Sequence, residues 1–524
     1  MKTDAVKLQI FKSLLQEAAD EMGVALRRSA FSPNIKERCD FSCAVFDANA
    51  DSIAQAAHIP VHLGSMPLSV KSAVAHHEFK KGDVVILNDP FQGGTHLPDI
   101  TLVEGVFLGG TRPAFYVANR AHHADIGGLA PGSMSLASRI SQEGLIIPPV
   151  LLCKGGRLVA DVMDMILANV RTPAERKGDI MAQLAANNRG VQRLKELARR
   201  LGVKELVLHS RNLMNYSERM MRTAISRMPE GTYRFEDFLD DDGLGSGPLK
   251  IAVRVEIKGK SATLDFDGTA PQTRGPVNCP LAVTVSAVFY CFMGVARTFG
   301  DIPDLPPNAG ALRPLKIRAK PGSLVNAVHP AAVSAGNVET SQRIVDVVLG
   351  ALAKALPGAI PAASAGTMSN LSIGGVNPET RRDFTYYETI AGGAGASRNS
   401  HGESGVQTHM TNTLNTPIEA IELSYPLRVR SYRIRRNSGG SGRNRGGDGL
   451  IREIEVLADS HVSILSDRRS AGPYGVQGGS PGKPGKNTLI TRGGKKKAIP
   501  GKASFDAPRG SVIRIETPGG GGHG

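Results

Sequence analysis

The chain has 524 residues, 41% of them hydrophobic and 21% charged, which are the proportions of a folded globular protein too long for one small core. Its five cysteines (Cys39, Cys43, Cys153, Cys279 and Cys291) form no CxxC pair, which argues against a zinc-thiolate site or disulfide framework and points to a reducing, cytoplasmic setting. The net charge of +15 raises nucleic acid as a partner, but only 5% of residues are aromatic, tryptophan is absent, and no helix-turn-helix, zinc-finger or RRM signature occurs; an anionic substrate or an acidic partner surface fits better.

Residues 5–27 place Leu8, Phe11, Leu15, Ala18, Met22 and Ala25 at helical spacing, and the segment lacks the short apolar stretch and cleavage site of a signal peptide. The period then becomes that of strands. Residues 40–55 read as a strand, a turn at Asn49-Ala50-Asp51 and a second strand, and 81–90, 99–107 and 112–120 predict three more. A helical pattern fills 174–209. A second unit opens near residue 230, with a hairpin over 249–268, helices around 281–297 and 339–356, and the strand PLKIRAK between them. Beyond residue 385 the chain is rich in Gly and Arg, and the tail ETPGGGGHG offers nothing to a core beyond Glu516 and Thr517. No run of 18 consecutive apolar residues offers a membrane span. The expected class is α+β, a large multi-layer subunit with mixed sheets and flanking helices. Three regions are expected: 1–228, bearing the candidate site; 229–384, α+β; and 385–524, β-rich.

Histidine carries the strongest local signal. His96, His122 and His123 fall within 28 residues, beside Asp89, Asp99 and Asp125, in NDPFQGGTHLPDITLV (88–103) and ANRAHHADIGG (118–128). A His and a carboxylate three residues apart at the mouth of a strand can converge on one divalent ion, and a third ligand can arrive from a neighbouring strand about 4.8 Å away. Mixed N/O ligation suits Zn, Mn or Fe. An isolated HxxD more often marks a loop histidine in a hydrogen bond. Of His122 and His123, spacing does not say which faces the ion. There is no GxSxG nucleophile motif, and neither GGSPGKPGKN (478–487) nor GSGRNRGG (440–447) satisfies the GxxxxGK[ST] phosphate loop, so ATP chemistry has to be done elsewhere.

These segments, with NVRTPAERKGDIMAQLAANNRG, GPVNCPLAVTVSAVFY (275–290), VSAGNVETSQRIVD (333–346) and THMTNTLNTPIEAIELSYPLRVRSYRIRRNSGGSGRNRGG (408–447), closely resemble the hydantoinase B/oxoprolinase family over nearly the whole chain. That family includes β subunits of ATP-dependent N-methylhydantoinase and caprolactamase, the C-terminal half of 5-oxoprolinase, and large subunits of acetone and acetophenone carboxylases. The resemblance implies a two-part machine. A hydantoinase A-type ATPase subunit, in an α2β2 heterotetramer, uses ATP and Mg to phosphorylate the substrate. The B-type subunit then completes the chemistry at a metal. The family's metal ligands map to His96 and Asp99, to His122 (His123 as alternative), and to Asp40 in ERCDFSC. The chain departs from the pattern in three places: RAHH for the commoner RGHH, SRNSHGESG over 397–405, and Asn437 ahead of SGG.

In such a site His123 and Asp125 are candidates for orienting water or moving protons, and Arg120 for holding a phosphoryl group or a carboxylate. A structural salt bridge is the plain alternative for Arg120. The expected function is therefore ring opening of a hydantoin, 5-oxoproline or lactam. The rivals are an ATP-dependent ketone carboxylase subunit and a non-catalytic scaffold for the ATPase.

Overall fold

A computed structural model describes residues 5–56 and 59–524. Helix α1 (Ala5–Ser29) buries Leu8, Phe11, Leu15, Ala18, Met22 and also Leu26, while Ala25 stays half-buried. After the short α2 (Pro33–Lys36), a seven-stranded sheet takes shape: β1 (Phe41–Asp47), β2 (Ser52–Gln55), β3 (Val84–Leu87), β4 (Asp99–Val106), β5 (Phe115–His122), β6 (Val150–Lys154) and β7 (Arg157–Leu158). Its order is β2-β1-β5-β4-β3-β6-β7, antiparallel throughout.

Both faces of this sheet are covered, and strand alternation decides what each meets. Tyr116 and Ala118 of β5 pack with Met66 and Val70 of α3 (His62–His76). Phe115, Val117 and Ala121 face the other way, onto α1. The short α4 (Ala160–Ala168) leads into α5 (Pro173–Leu201), which lies on that second face and contacts β4 and β5. The helical pattern over 174–209 resolves into two helices, α5 and α6 (Val203–Ser226). They are split at Gly202, whose φ of 89° lies in the left-handed region that glycine enters freely.

The second sheet, β8 (Gly231–Leu239), β9 (Leu249–Lys258), β10 (Ser261–Asp265) and β11 (Leu315–Arg318), holds the one parallel pairing, β10 with β11, among the described strands. A parallel pair needs a crossover, and α7 (Leu281–Thr298) with the short α8 (Ala309–Leu312) supplies it. Helix α7 is long and apolar enough to cross a membrane, yet 67% of it is buried within the protein, against α3 and α9 (Ser341–Ala355). One turn of π-helix, Gly336–Thr340, precedes α9.

Two further antiparallel sheets complete the chain. One has the order β13 (Asp383–Thr389), β12 (Asn370–Val376), β16 (Ser460–Leu465), β19 (Lys502–Ala507). The other follows the short α10 (Ile418–Ser424) and has the order β14 (Leu427–Arg435), β15 (Gly449–Val456), β20 (Val512–Glu516), β17 (Lys486–Ile490), β18 (Lys496–Ile499). The largest apolar cluster draws Ile59 and Met134, Phe289 and Val345, and Met410 and Leu465 into one core, so all three regions of the chain share it.

The tail differs from expectation. Residues 517–523 are buried, threaded between glycine-rich loops and hydrogen-bonded on every side: Gly440 N to Gly520 O, Gly520 N to Gly447 O, Gly521 N to Ala363 O and Gly522 N to Ser480 O, all at 2.8–2.9 Å. Glycine contributes to a core here by lacking a side chain. A Cβ on Gly520 would stand 2.0 Å from the Ala394 carbonyl oxygen.

Candidate metal centre

Register alone brings three acids and bases into a row at one end of the seven-stranded sheet. Phe41 pairs with Ala121 across β1 and β5, which sets Asp40 beside His122, and Asp99 pairs with His122 across β4 and β5. The His122 amide donates to the Asp40 carbonyl at 3.0 Å, closing the row. All three stand on the face turned to α3, in step with Ser42, Arg120 and Thr101 two residues away.

His96 joins from the loop ahead of β4. Its Nε2 lies 3.1 Å from His122 Nδ1 and 3.3 Å from Asp99 Oδ1, and His122 Nδ1 is 3.1 Å from the same oxygen. These three donor atoms make a nearly equilateral triangle, and every side chain in it is buried. His96 Nδ1 faces the Ser334 carbonyl at 3.4 Å, which favours its proton there and leaves Nε2 as a lone pair toward the triangle.

The arrangement fits a cation. The two ring nitrogens and the carboxylate oxygen crowd to within 3.1–3.3 Å of one another, and against the pull of burial the Asp99 carboxylate lifts His96 above its ordinary value, so the triangle draws positive charge to itself. The spacing is small enough for all three atoms to reach one ion at about 2.1 Å, a usual Zn–N or Zn–O distance. His122 Nε2, the ring nitrogen away from the triangle, is buried without a hydrogen-bond partner. The donor chemistry is that of Zn, Mn or Fe. Burial alone would raise the Asp99 carboxyl, but His96 and the hydrogen bonds from His122 and His62 hold it well below its ordinary value. Burial lowers His122 and His62, keeping both rings neutral.

Four participants carried no sequence signal. His62 begins α3 and reaches Asp99 Oδ2 at 3.3 Å, while its Nδ1 meets Ser42 Oγ at 2.9 Å. Asn337, in the π-helical turn, points Nδ2 at His96 Nε2 (3.1 Å). Tyr387 of β13 stacks on His122, with ring centroids 4.3 Å apart. Glu143 is fully buried and accepts from the Val333 and Ser334 amides at 2.9 and 2.8 Å, fixing the loop whose carbonyl meets His96. A small cavity of about 20 Å³ lies against the row, lined by Asp40, His62, Asp99, His122, Asn337 and Thr411 among others.

Other sequence candidates go elsewhere. His123 points to the opposite face, where Nε2 donates to Gln183 Oε1 of α5 at 2.9 Å; burial, with Arg176 nearby, brings it down to about 4. Asp125 caps the Gly127, Gly132 and Arg171 amides and pairs with the Arg171 guanidinium at 2.8 Å. Arg120 shares the His122 face but spends its donors on Thr101, Ser65 and Ser69 hydroxyls at 2.9, 2.6 and 2.7 Å. Asp125 and Arg120 thus hold loops and helix α3 in place, and His123 holds the sheet to α5.

A hydantoinase B/oxoprolinase profile matches residues 4–524. The chain belongs to the hydantoinase B/oxoprolinase family. It is 43% identical to an uncharacterized protein of Methanocaldococcus jannaschii, over 99% of this chain and 91% of that one. Identity is 38% to 5-oxoprolinase 1 of Arabidopsis thaliana, where 99% of this chain covers only 42% of the relative. The B component of a putative D-/L-hydantoinase from a Pseudomonas strain is 34% identical, with 100% and 90% covered. Among solved structures, an ATP-dependent caprolactamase from Pseudomonas jessenii superposes with a TM-score of 0.91 at 28% identity, over 100% of this chain and 92% of that one. An acetone carboxylase chain reaches the same TM-score at 19% identity, over 100% of this chain and 76% of its own length, and shares the fold. Three of these five proteins are named for cyclic amide substrates.

Proposed function

We propose that this family member is the metal-bearing subunit of an ATP-dependent cyclic amidohydrolase, opening a hydantoin, 5-oxoproline or lactam ring activated by a separate ATP-using subunit. The observation that carries the reading is the buried triangle of His96, Asp99 and His122, with Asp40 and His62 lining the cavity against it, in a family whose named relatives act on such rings. In the Arabidopsis relative the matching region is under half of the protein. The hydantoinase relative is named as one subunit of its enzyme. Both facts support a second component, and the lack of a phosphate-loop motif favours ATP use there.

A ring amide resists water because resonance strengthens its C–N bond. Phosphorylation of the carbonyl oxygen turns it into a leaving group. His96, Asp99 and His122, with Asp40 beside them, would hold a divalent ion, which when bound would supply Lewis acidity and lower the pKa of water. The chain's own residues do the rest. The buried walls exclude bulk solvent, Tyr387 fixes the His122 ring by stacking on it, and Asn337 stands beside His96 in the cavity wall. His62, hydrogen-bonded to both Ser42 and Asp99, fixes the Asp99 carboxylate from the side of α3.

The test is to combine the chain with the ATPase-type subunit and measure ADP release and ring opening with hydantoins, 5-oxoproline and caprolactam, and with acetone or acetophenone with and without bicarbonate. Stimulation by a cyclic amide with matching ring opening supports the reading. Stimulation only by a ketone with bicarbonate replaces it with the carboxylase, and no stimulation at all favours a scaffold.

A further inference from the structure

The basic segment LRVRSYRIRR (427–436) has no part in the metal chemistry; all but its last residue forms β14, at one edge of the five-stranded sheet. At that edge two chemistries meet. On one side lie Tyr432 and Ile434, each 39% exposed, with Leu414 at 56%, Ile418 at 38% and Leu423 at 89% from the preceding loop and α10. Tyr432 Oη donates to Asn415 Oδ1 at 2.9 Å and Glu422 of α10 accepts from the Val429 amide at 2.9 Å, so loop, helix and strand make one surface. On the other side stand Arg428, Arg430 and Arg433, with Arg436 at the strand's end. Glu455 serves both Arg428 and Arg430, at 3.6 and 2.8 Å, and among the described residues no carboxylate pairs with Arg433 or Arg436.

We infer that this edge is the docking face for an acidic surface of the ATP-using partner subunit, an inference that rests on the two-component reading above. Charge selects the kind of partner. A second copy of the chain meeting this face about a twofold axis would set arginine against arginine, whereas acidic groups complete Arg433 and Arg436. Exposed tyrosine and arginine over a rigid base are what interface hot spots are made of. The base is rigid: the buried Arg452 guanidinium lies 4.4 Å under the Tyr432 ring and is itself held by Glu388 of β13 at 3.1 Å.

The position also suits a handover. Glu388 is followed by Thr389, which lines the metal cavity, and preceded by Tyr387, which stacks on His122. The Leu414 amide donates to the carbonyl of Arg38, two residues from Asp40, and Arg38 Nε donates back to the Leu414 carbonyl. A partner seated on this edge therefore presses on the outer side of the layer that closes the metal centre.

The experiment uses the full-length chain and the ATPase-type subunit, with sedimentation velocity giving the dissociation constant at two salt concentrations. Arg433→Glu with Arg436→Glu, and separately Leu423→Asp, are each expected to weaken assembly by about tenfold or more, the charge pair also flattening the salt dependence. Melting temperature and metal content of the isolated chain should not change. If wild-type complex forms and both variants assemble within about twofold of it, the docking inference is overturned while the two-component reading stands. If wild type itself forms no complex, both fall. If wild type alone is a dimer that the variants dissociate, or if they instead lose affinity for a short fluorescent DNA duplex, the face belongs to a second copy or to nucleic acid and the inference is likewise overturned.

Discussion

His122 and His123 are consecutive in the chain and serve opposite faces of the same sheet. His122 Nδ1 lies 3.1 Å from Asp99 Oδ1 on the α3 side, and His123 Nε2 lies 2.9 Å from Gln183 Oε1 on the α5 side. Their roles should separate cleanly. His123→Ala strands the Gln183 carbonyl in the interior and should lower stability by about 1–3 kcal/mol. Metal content should stay at the wild-type level. Chemical denaturation and elemental analysis of the same preparation check both halves, and loss of metal on this substitution would reassign the ligand.

Glu143 acts on the site through a loop. Its carboxylate holds the Val333 and Ser334 amides, and the Ser334 carbonyl faces His96 Nδ1. Glu143→Ala should weaken metal affinity by about 10–100-fold, as loss of an orienting partner does elsewhere. Glu143→Gln retains an oxygen acceptor and should lose less. Chelator competition reads the difference, and equal affinity in all three proteins would remove Glu143 from the account.

Stability should carry a pH signature from Glu104, on the strand that begins with Asp99. Burial pushes its carboxyl up from 4.5 to about 7, against the pull of Lys195. A raised acid favours folding while protonated, so its contribution is complete below pH 4.5 and lost as pH rises to about 7. Glu104→Gln cannot ionise. Its melting temperature should gain on wild type across that window and then level off, by a stability difference on the order of 1–3 kcal/mol. A gap that is constant with pH would show that Glu104 is solvated.

The glycine tail makes a steric prediction. Gly520→Ala sets a Cβ 2.0 Å from the Ala394 carbonyl oxygen and should cost more than about 3 kcal/mol, seen as loss of soluble protein. Gly493→Ala, where a Cβ meets nothing within 4 Å, should be silent. Normal folding of the Gly520 variant would mean the tail is not part of the core.

How far the sequence could be read follows from where its information is local. The strands over 40–55, 99–107 and 112–120 announce themselves as short apolar runs bounded by turn residues, and once β1, β4 and β5 are neighbours, Asp40, His122 and Asp99 have to align. The resemblance supplied Asp40, which no local pattern marks. Alternation places His122 and His123 on different faces but does not say which face meets α3. His62 escaped because it opens a helix 37 residues before Asp99, and only packing of α3 on the sheet brings it in. Asn337 and Tyr387 come from more distant segments still. The buried tail was misread because a run of glycines looks like an unstructured end, when the absence of side chains is what admits it between other glycine-rich loops.

The central claim is that the triangle of His96, Asp99 and His122 holds a divalent ion, and metal content measured by mass spectrometry tests it most directly. Wild-type chain and the variants His96→Ala, Asp99→Asn, His122→Ala and His123→Ala would be purified without chelators and compared at matched folded fraction. The account predicts about one Zn, Mn or Fe per chain in wild type and in His123→Ala, and loss of most of it in the other three. Metal-free wild type that still opens an activated ring, or full metal retention in His122→Ala and Asp99→Asn, would contradict it.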